Sequence, residues 1–198
     1  IIWSILGIIL LMPLLLAIAW WIKITSLWPV FYISQRVGKW WKLFDVWKFR
    51  SMKIEYCVWS QYGWEQAQTY YQELIQTHNI RDDVLPKIAH DPRITPVWHI
   101  LRRYSLDELP QLRNVLNGTM SLIGPRPHLP DEVAKYQWWH KRLLAVKPGI
   151  TWYSQIYGRD KLTLDEEARL DLYYIQNRSL ALDLIIILST LQILNKGR

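Results

Sequence analysis

The stretch LRRYSLDELPQLRNVLNGTMSLIGPRPHLP, Leu101 to Pro130, brings adjacent arginines, adjacent carboxylates and a proline-framed third arginine close together in the chain. Leu109, Leu112, Val115 and Leu116 recur at helical spacing, and Asn117-Gly118 reads as a C-terminal stop. Ser105 with Glu108 fits the S-x-x-E capping box, which puts Asp107 and Glu108 in the first turn of that helix. Pro110 disfavours helical geometry at Leu109, so the helix start is fixed only to within a few residues. Alone, such a box is a cap, with Asp107 there to suit the helix dipole. The neighbours carry the functional reading. Pro125 and Pro127 hold Arg126 in an extended, stiff loop, and a guanidinium fork held this way suits phosphate oxygens. A carboxylate at a helix N-terminus stays ionised and nucleophilic, and carboxylate nucleophiles form acyl phosphates.

Upstream, Leu43, Asp45, Trp47 and Phe49 alternate with Phe44, Val46, Lys48 and Arg50, which predicts a strand carrying Lys48 and Arg50 on one face. Gln35-Arg36 reads as a weaker basic site in a loop. Glu55 to His78 is a polar covering helix, and Asp91-Pro92-Arg93 to Pro96 is a turn entering the Trp98 to Tyr104 segment. Downstream, Val133 to Val146 reads as one helix, either interfacial or packed, with Trp138, Trp139, Lys141 and Arg142 adjacent. Thr163 with Glu166 is a second capping box opening a helix to about Gln176, and Ser179 opens another to about Leu194. That last helix is apolar on most faces and either packs beneath the catalytic region or lies in the headgroup plane.

Ile1 to Ile22 carries no charge and as a helix would be roughly 33 Å long, enough to cross a ~30 Å hydrocarbon layer. It has no basic n-region or small-residue cleavage site, so it is not read as a removable signal. A chain opening on Ile rather than Met reads as trimmed or processed. Pro13 removes one backbone bond and can kink the segment, which leaves re-entry and a full span both open. The remaining length suits one core. The excess of 24 Lys and Arg over 17 Asp and Glu, a formal charge of +7, calls for an anionic partner. Cys57, the single cysteine, rules out an intrachain disulfide and reads as a small buried or half-buried residue. The 13 tryptophans, several paired and beside Lys or Arg, favour interfacial contact for some of them. No G-x-G-x-x-G, P-loop or H-E-x-x-H motif occurs.

Taken with QRVGK from Gln35, KFRSM from Lys48, KPGIT from Lys147 and SQIYGRDKLTLDEEARLDLYYI from Ser154, the central stretch closely resembles the bacterial sugar transferase family, the small monotopic phosphoglycosyl transferases. The resemblance covers nearly the whole chain. It implies an α/β membrane-associated enzyme: residues 1–28 a re-entrant helix kinked at Pro13, or a spanning one, and residues 29–198 a small catalytic domain with interfacial amphipathic helices on the cytoplasmic face of the bacterial inner membrane. It implies transfer of a sugar 1-phosphate from a UDP-sugar to polyprenyl (undecaprenyl) phosphate, initiating membrane-bound glycoconjugate synthesis. Asp107 would be the nucleophile, giving an aspartyl phosphosugar. Asp107 and Glu108 would hold Mg2+, and Arg50 and Arg126, then Arg102, Arg103, Lys48 and Arg36, would bind phosphate. The partners expected are the two substrates, inner-membrane lipids and a second copy in a homodimer, with no nucleic acid. The alternative is a membrane-tethered basic protein that binds nucleic acid, or an assembly protein of the same fold without chemistry. No RNP, KH or helix-turn-helix signature supports nucleic-acid binding. The family usually has Gly where this chain has Trp28, Trp41 and Trp152, and Asn where it has Trp40. Any of these that needs a positive φ is expected to be strained.

Overall fold

The computed structural model describes residues 2–25, 29–50, 52, 56, 65–78, 88, 91–94, 96–158 and 161–196. They form a mixed helix-and-strand fold. Helix α1 (Ile2–Thr25) includes Pro13 and is long and apolar enough, by length and composition, to cross a membrane. It does not stand away from the rest of the chain. Ile18 and Ile22 enter an apolar cluster with Val30, Phe49, Val97 and Leu101, and a Cβ on Gly7 would lie 3.7 Å from Leu112 Cδ1. The other side of α1, including Ile5, Leu6, Ile9, Leu10, Leu16 and Trp20, is exposed.

Strands β1 (Phe31–Val37) and β2 (Leu43–Phe49) form an antiparallel hairpin, as the alternation around Lys48 predicts for β2. Facing residues share a side of the sheet, so Tyr32 with Lys48, Ser34 with Val46, and Arg36 with Phe44 line one face. Arg36 is therefore a strand residue, not the loop residue expected. The hairpin tip is a 3₁₀ turn, Lys39–Trp41, closed by Gly38 N–H to the Lys42 carbonyl at 2.8 Å. Trp40 and Trp41 adopt φ of 56° and 61°, a conformation costing an L-residue roughly 1–2 kcal/mol. The strain expected at the family's Gly and Asn positions is thus present at the tip. It is absent at Trp152, whose φ of −142° is ordinary extended backbone. Trp28 and Cys57 lie outside the described residues, as does the first part of the expected Glu55–His78 helix, of which α2 is Glu65–His78.

Helix α3 (Pro96–Arg103) follows a turn in which Arg93 pairs with Asp91. The expected capping box at Ser105 does not form. Ser105 takes φ 50° and its side chain makes no cap bond; Glu108 N–H instead reaches the Ser105 backbone carbonyl at 3.2 Å. Pro110 is the reason, because it disfavours α geometry at Leu109 and has no N–H to give. The chain tightens into a 3₁₀ turn, Leu106–Gln111, before α4 (Leu112–Leu116). Asn117 and Gly118, with φ 73° at the glycine, end α4 as predicted.

Strands β3 (Ser121–Ile123) and β4 (Gly149–Thr151) pair in parallel. Gly124 N–H donates to the Thr151 carbonyl at 3.1 Å, and Gly149 N–H to the Pro125 carbonyl at 2.9 Å. The helix expected over Val133 to Val146 is broken into α5 (Pro130–Ala134) and a 3₁₀ turn, His140–Ala145. Side chains support the break: His140 Nδ1 accepts the Gln137 N–H at 3.1 Å, and Gln137 Oε1 accepts the Trp139 indole N–H at 2.8 Å. After α6 (Tyr153–Tyr157), helix α7 (Leu164–Gln176) opens with the predicted box: Glu166 Oε2 accepts Thr163 N–H at 2.8 Å and Thr163 Oγ1 accepts Glu166 N–H at 3.3 Å. Helix α8 (Leu180–Lys196) buries Ile186 against Tyr153 and Tyr174 and leaves Leu180, Leu184, Ile185, Leu188 and Leu191 exposed.

Candidate active site

The 3₁₀ turn that replaces the first helical turn carries Asp107 and Glu108 against β2. Lys48 Nζ donates to Glu108 Oε1 at 3.3 Å, with both side chains largely buried. Asn114 fixes this arrangement from α4. Its amide donates to the Asp45 carbonyl at 2.6 Å and its oxygen accepts the Trp47 N–H at 3.1 Å, so one side chain takes the place of a neighbouring strand along β2. The helix following the two carboxylates is thereby docked on the strand that bears Lys48.

Arg36 lies on the same sheet face as Lys48 and ties it to the Gly124–His128 loop. Its Nη1 donates to the Pro127 carbonyl at 3.1 Å and lies 3.9 Å from Glu132, while Val37 N–H bonds the His128 carbonyl at 3.0 Å. Burial pulls the guanidinium below its ordinary value, partly offset by Glu132 and Glu108 and reinforced by Arg126. Those influences put Glu108, Arg36 and Arg126 in one electrostatic neighbourhood, and the guanidinium stays charged there.

Helix α7 holds the other side of the loop. Buried Asp171 accepts Arg126 N–H at 3.1 Å and Ser154 N–H at 2.9 Å; buried Glu167 takes Arg126 Nη1 at 3.3 Å. His128 Nε2 faces Glu167 at 3.7 Å, and Nδ1 is in contact with the Tyr136 hydroxyl. Burial, helped by Arg126, pushes His128 down to about 3, so it is neutral at physiological pH. Burial pushes Asp171 up to about 7 against the pull of its two N–H donors. Arg126 is thus aimed by an acid pair one helical turn apart on α7.

Of the residues expected at the site, Lys48 pairs with Glu108, Asp107 is beside Glu108 on the same turn, and Arg36 lies within electrostatic reach of both Glu108 and Arg126. Arg50 is buried just past β2, its N–H on the Val30 carbonyl at 2.9 Å. Arg102 and Arg103 end α3 next to the turn, with Arg103 stacked over Tyr104. Asn114, Glu132, Glu167 and Asp171 escaped the sequence reading. The acid pair had a faint signal, two carboxylates at i and i+4 on the apolar side of LDEEARLDL; Asn114 had none. Among the described residues no group of three or more His, Cys, Asp or Glu is arranged to hold a metal ion. A Mg2+ ion does not need three, since it binds through one or two carboxylates with waters and substrate phosphates, and Asp107 with Glu108 fit that pattern.

The chain is similar to known proteins over most of its length. The chain is 40% identical over 170 residues to the galactosyl transferase CpsE of Streptococcus agalactiae, covering 85% of this chain and 35% of that protein. It is 35% identical over 188 residues to the exopolysaccharide production protein ExoY of Sinorhizobium fredii, covering 95% of this chain and 80% of that one. It is 37% identical over 194 residues to the undecaprenyl-phosphate galactose phosphotransferase of Salmonella typhimurium, covering 96% and 38%. The chain therefore spans little more than a third of two of these relatives and four-fifths of the other. The family model described as bacterial sugar transferase matches residues 1–197, and the chain belongs to that family.

Proposed function

We propose that this chain transfers a sugar 1-phosphate from a UDP-sugar to a polyprenyl phosphate at the cytoplasmic face of the bacterial inner membrane. The observation that carries the reading is the pair Asp107-Glu108, held on a tight turn against a sheet face bearing Lys48 and Arg36, with Arg126 alongside. The Salmonella relative, named for moving galactose phosphate on undecaprenyl phosphate, supports the acceptor class. Exposed apolar faces on α1 and α8 suit a site that must meet a lipid.

In this mechanism the Asp107 carboxylate attacks the β-phosphorus of the UDP-sugar. The bond from that phosphorus to the bridging oxygen breaks, and UMP leaves with the electron pair. The phosphosugar remains on Asp107 as an acyl phosphate. The lipid phosphate oxygen then attacks the same phosphorus, releasing Asp107 and giving a polyprenyl diphosphate sugar. Lys48 orients Glu108 beside the nucleophile, and Arg126, held by Glu167 and Asp171, faces phosphate oxygens. Mg2+ held by Asp107 and Glu108 would supply charge neutralisation at the diphosphate.

The test is a screen of UDP-sugars for UMP release that depends on polyprenyl phosphate. Asp107→Asn should fold normally and lose turnover, because an amide of similar shape cannot form the acyl phosphate. Initial rates should give parallel double-reciprocal lines, and enzyme with UDP-sugar alone should carry a phosphosugar mass on Asp107. Wild-type-like turnover in Asp107→Asn, or converging lines without an adduct in an active preparation, would rule out the covalent route.

A further inference from the structure

His128 follows the proline-framed Arg126 in the sequence, and the transfer chemistry makes no use of its ring. The ring is buried between two side chains: Nδ1 meets the Tyr136 hydroxyl, and Nε2 lies 3.7 Å from Glu167 Oε2. Burial raises the Tyr136 hydroxyl above its ordinary value, so it keeps its proton, while the neutral imidazole carries one N–H. A lone pair on Nε2 turned toward a buried carboxylate would be repelled. The ring proton therefore sits on Nε2, and Nδ1 accepts from the Tyr136 O–H. At 3.7 Å the Nε2–H is too far from Glu167 for a hydrogen bond, and it makes none with any described residue. A buried donor left in that position is costly unless it is used in another state of the protein.

Glu167 supplies that other state. Arg126 Nη1 reaches its two oxygens at 3.3 and 3.4 Å, longer than the roughly 2.7–2.9 Å of a close charge-assisted bond. Arg126 and His128 thus address the same oxygen, Oε2, and neither closes on it. Of the three side chains, Arg126 alone reaches the surface, at 26% exposure against 2% for each of the others. Its backbone is pinned separately, through the N–H that Asp171 accepts at 3.1 Å, so the guanidinium can turn while the loop stays in place. Turning toward a phosphate loosens its hold on Glu167, and a buried carboxylate that loses a cation is strongly destabilised unless another donor replaces it. The Nε2–H of His128 is aimed at that carboxylate already.

We propose that Glu167 passes from Arg126 to the Nε2–H of His128 when Arg126 takes a phosphate, with Tyr136 holding the ring tautomer that allows it. His128 and Tyr136 are then positioning residues for the phosphate clamp, an assignment that rests on the role given to Arg126 in the proposed reaction. The test is calorimetric titration of the detergent-solubilised full chain with UDP, which needs no turnover. UDP should bind the wild type, and Arg126→Gln should weaken it. His128→Phe should weaken UDP binding about tenfold, as expected for loss of a charge-assisted bond made in the bound state, whereas His128→Gln, whose amide keeps a donor, should retain most of the affinity. In a Glu167→Gln background His128→Phe should change UDP binding little, since no buried charge remains to be passed on. A contact equally strong with and without UDP cancels from the binding constant, so this non-additivity reports the transfer of Glu167 between its two donors. Tyr136→Phe, which frees the tautomer at nearly constant volume, should also weaken UDP binding and serves if His128→Phe does not fold. With the Arg126 effect present, unchanged UDP binding in these variants, or equal losses in both Glu167 backgrounds, would reduce His128 to a packing residue and overturn the proposal alone. A wild type that does not bind UDP, or binding untouched by Arg126→Gln, would remove the clamp and overturn the proposal together with the reading beneath it.

Discussion

A Cβ on Gly149 would be driven into the amide nitrogen of Gly124, and one on Gly124 would come within 2.5 Å of the Lys147 carbonyl oxygen and 2.8 Å of the Gly149 nitrogen. These are backbone atoms in paired strands and cannot swing aside, so the two glycines set the contact that lets the Arg126 loop cross β4. Gly149→Ala should cost about 1–3 kcal/mol, the usual range for overpacking, and should lower turnover by shifting Arg126. Urea unfolding and a rate assay on the same variant check both; unchanged stability would mean the strands can part without loss. The opposite case is the hairpin tip. Trp41 adopts φ 61° with half its surface exposed, so little packing within the chain repays the strain. Trp41→Gly should therefore stabilise the detergent-solubilised protein by about 1 kcal/mol, read as a higher unfolding midpoint. A lower midpoint would mean that the ring contributes packing worth more than the strain.

The Gly124–His128 loop and α7 act as one element, and their two buried titrating groups oppose each other. His128, lowered from 6.5 to about 3, contributes stability that is full above pH 6.5 and is lost as pH falls toward 3. Asp171, raised from 3.8 to about 7, contributes stability that is full below pH 3.8 and is lost as pH rises toward 7. Between 3.8 and 6.5 the two slopes cancel, each being about 1.4 kcal/mol per pH unit at full effect. Asp171→Asn should uncover the histidine, so that stability falls on acidification relative to wild type; His128→Gln should uncover the aspartate, and stability should rise. Unfolding series across that window compare the three proteins, and parallel curves would mean that neither group carries the shift. This element also marks where sequence reading stopped. Thr163 and Glu166 announce the start of α7 because a cap is a local pattern of four residues. The strand around Lys48 was equally legible, since alternation is local too. What α7 does with Glu167 and Asp171 depends on a loop about forty residues earlier in the chain, which no local pattern encodes. Likewise Ser105 carried the letters of a capping box, but Pro110 withheld the geometry. Asn114 looked like any polar helix residue until β2 was beside it.

At the scale of the whole molecule, the placement of α1 bears on how the chain meets the membrane. A helix of 24 residues is roughly 36 Å long, and in an upright span its far end would stand about 30 Å from a domain attached at the other. Here both ends touch the globular part: Ile18 and Ile22 pack with Val97 and Leu101, while Ser4 is buried and Gly7 approaches Leu112 of α4. Helix α4, which carries Asn114 and an Arg113 stacked on Trp47, cannot follow Gly7 into the hydrocarbon core without a large desolvation cost. Keeping these contacts requires the helix to lie shallow, with its exposed face of Leu6, Ile9, Leu10, Leu16 and Trp20 toward lipid. The exposed stripe of α8 supplies a second apolar surface on the same body. The expected outcome is that position 2 stays on the same side of the membrane as Asp107 and Glu108. Ile2→Cys in a Cys57→Ser background should react with an impermeant thiol reagent in inverted inner-membrane vesicles and not in intact spheroplasts. Labelling confined to spheroplasts would establish an upright span and mean that α1 detaches from α4 on insertion.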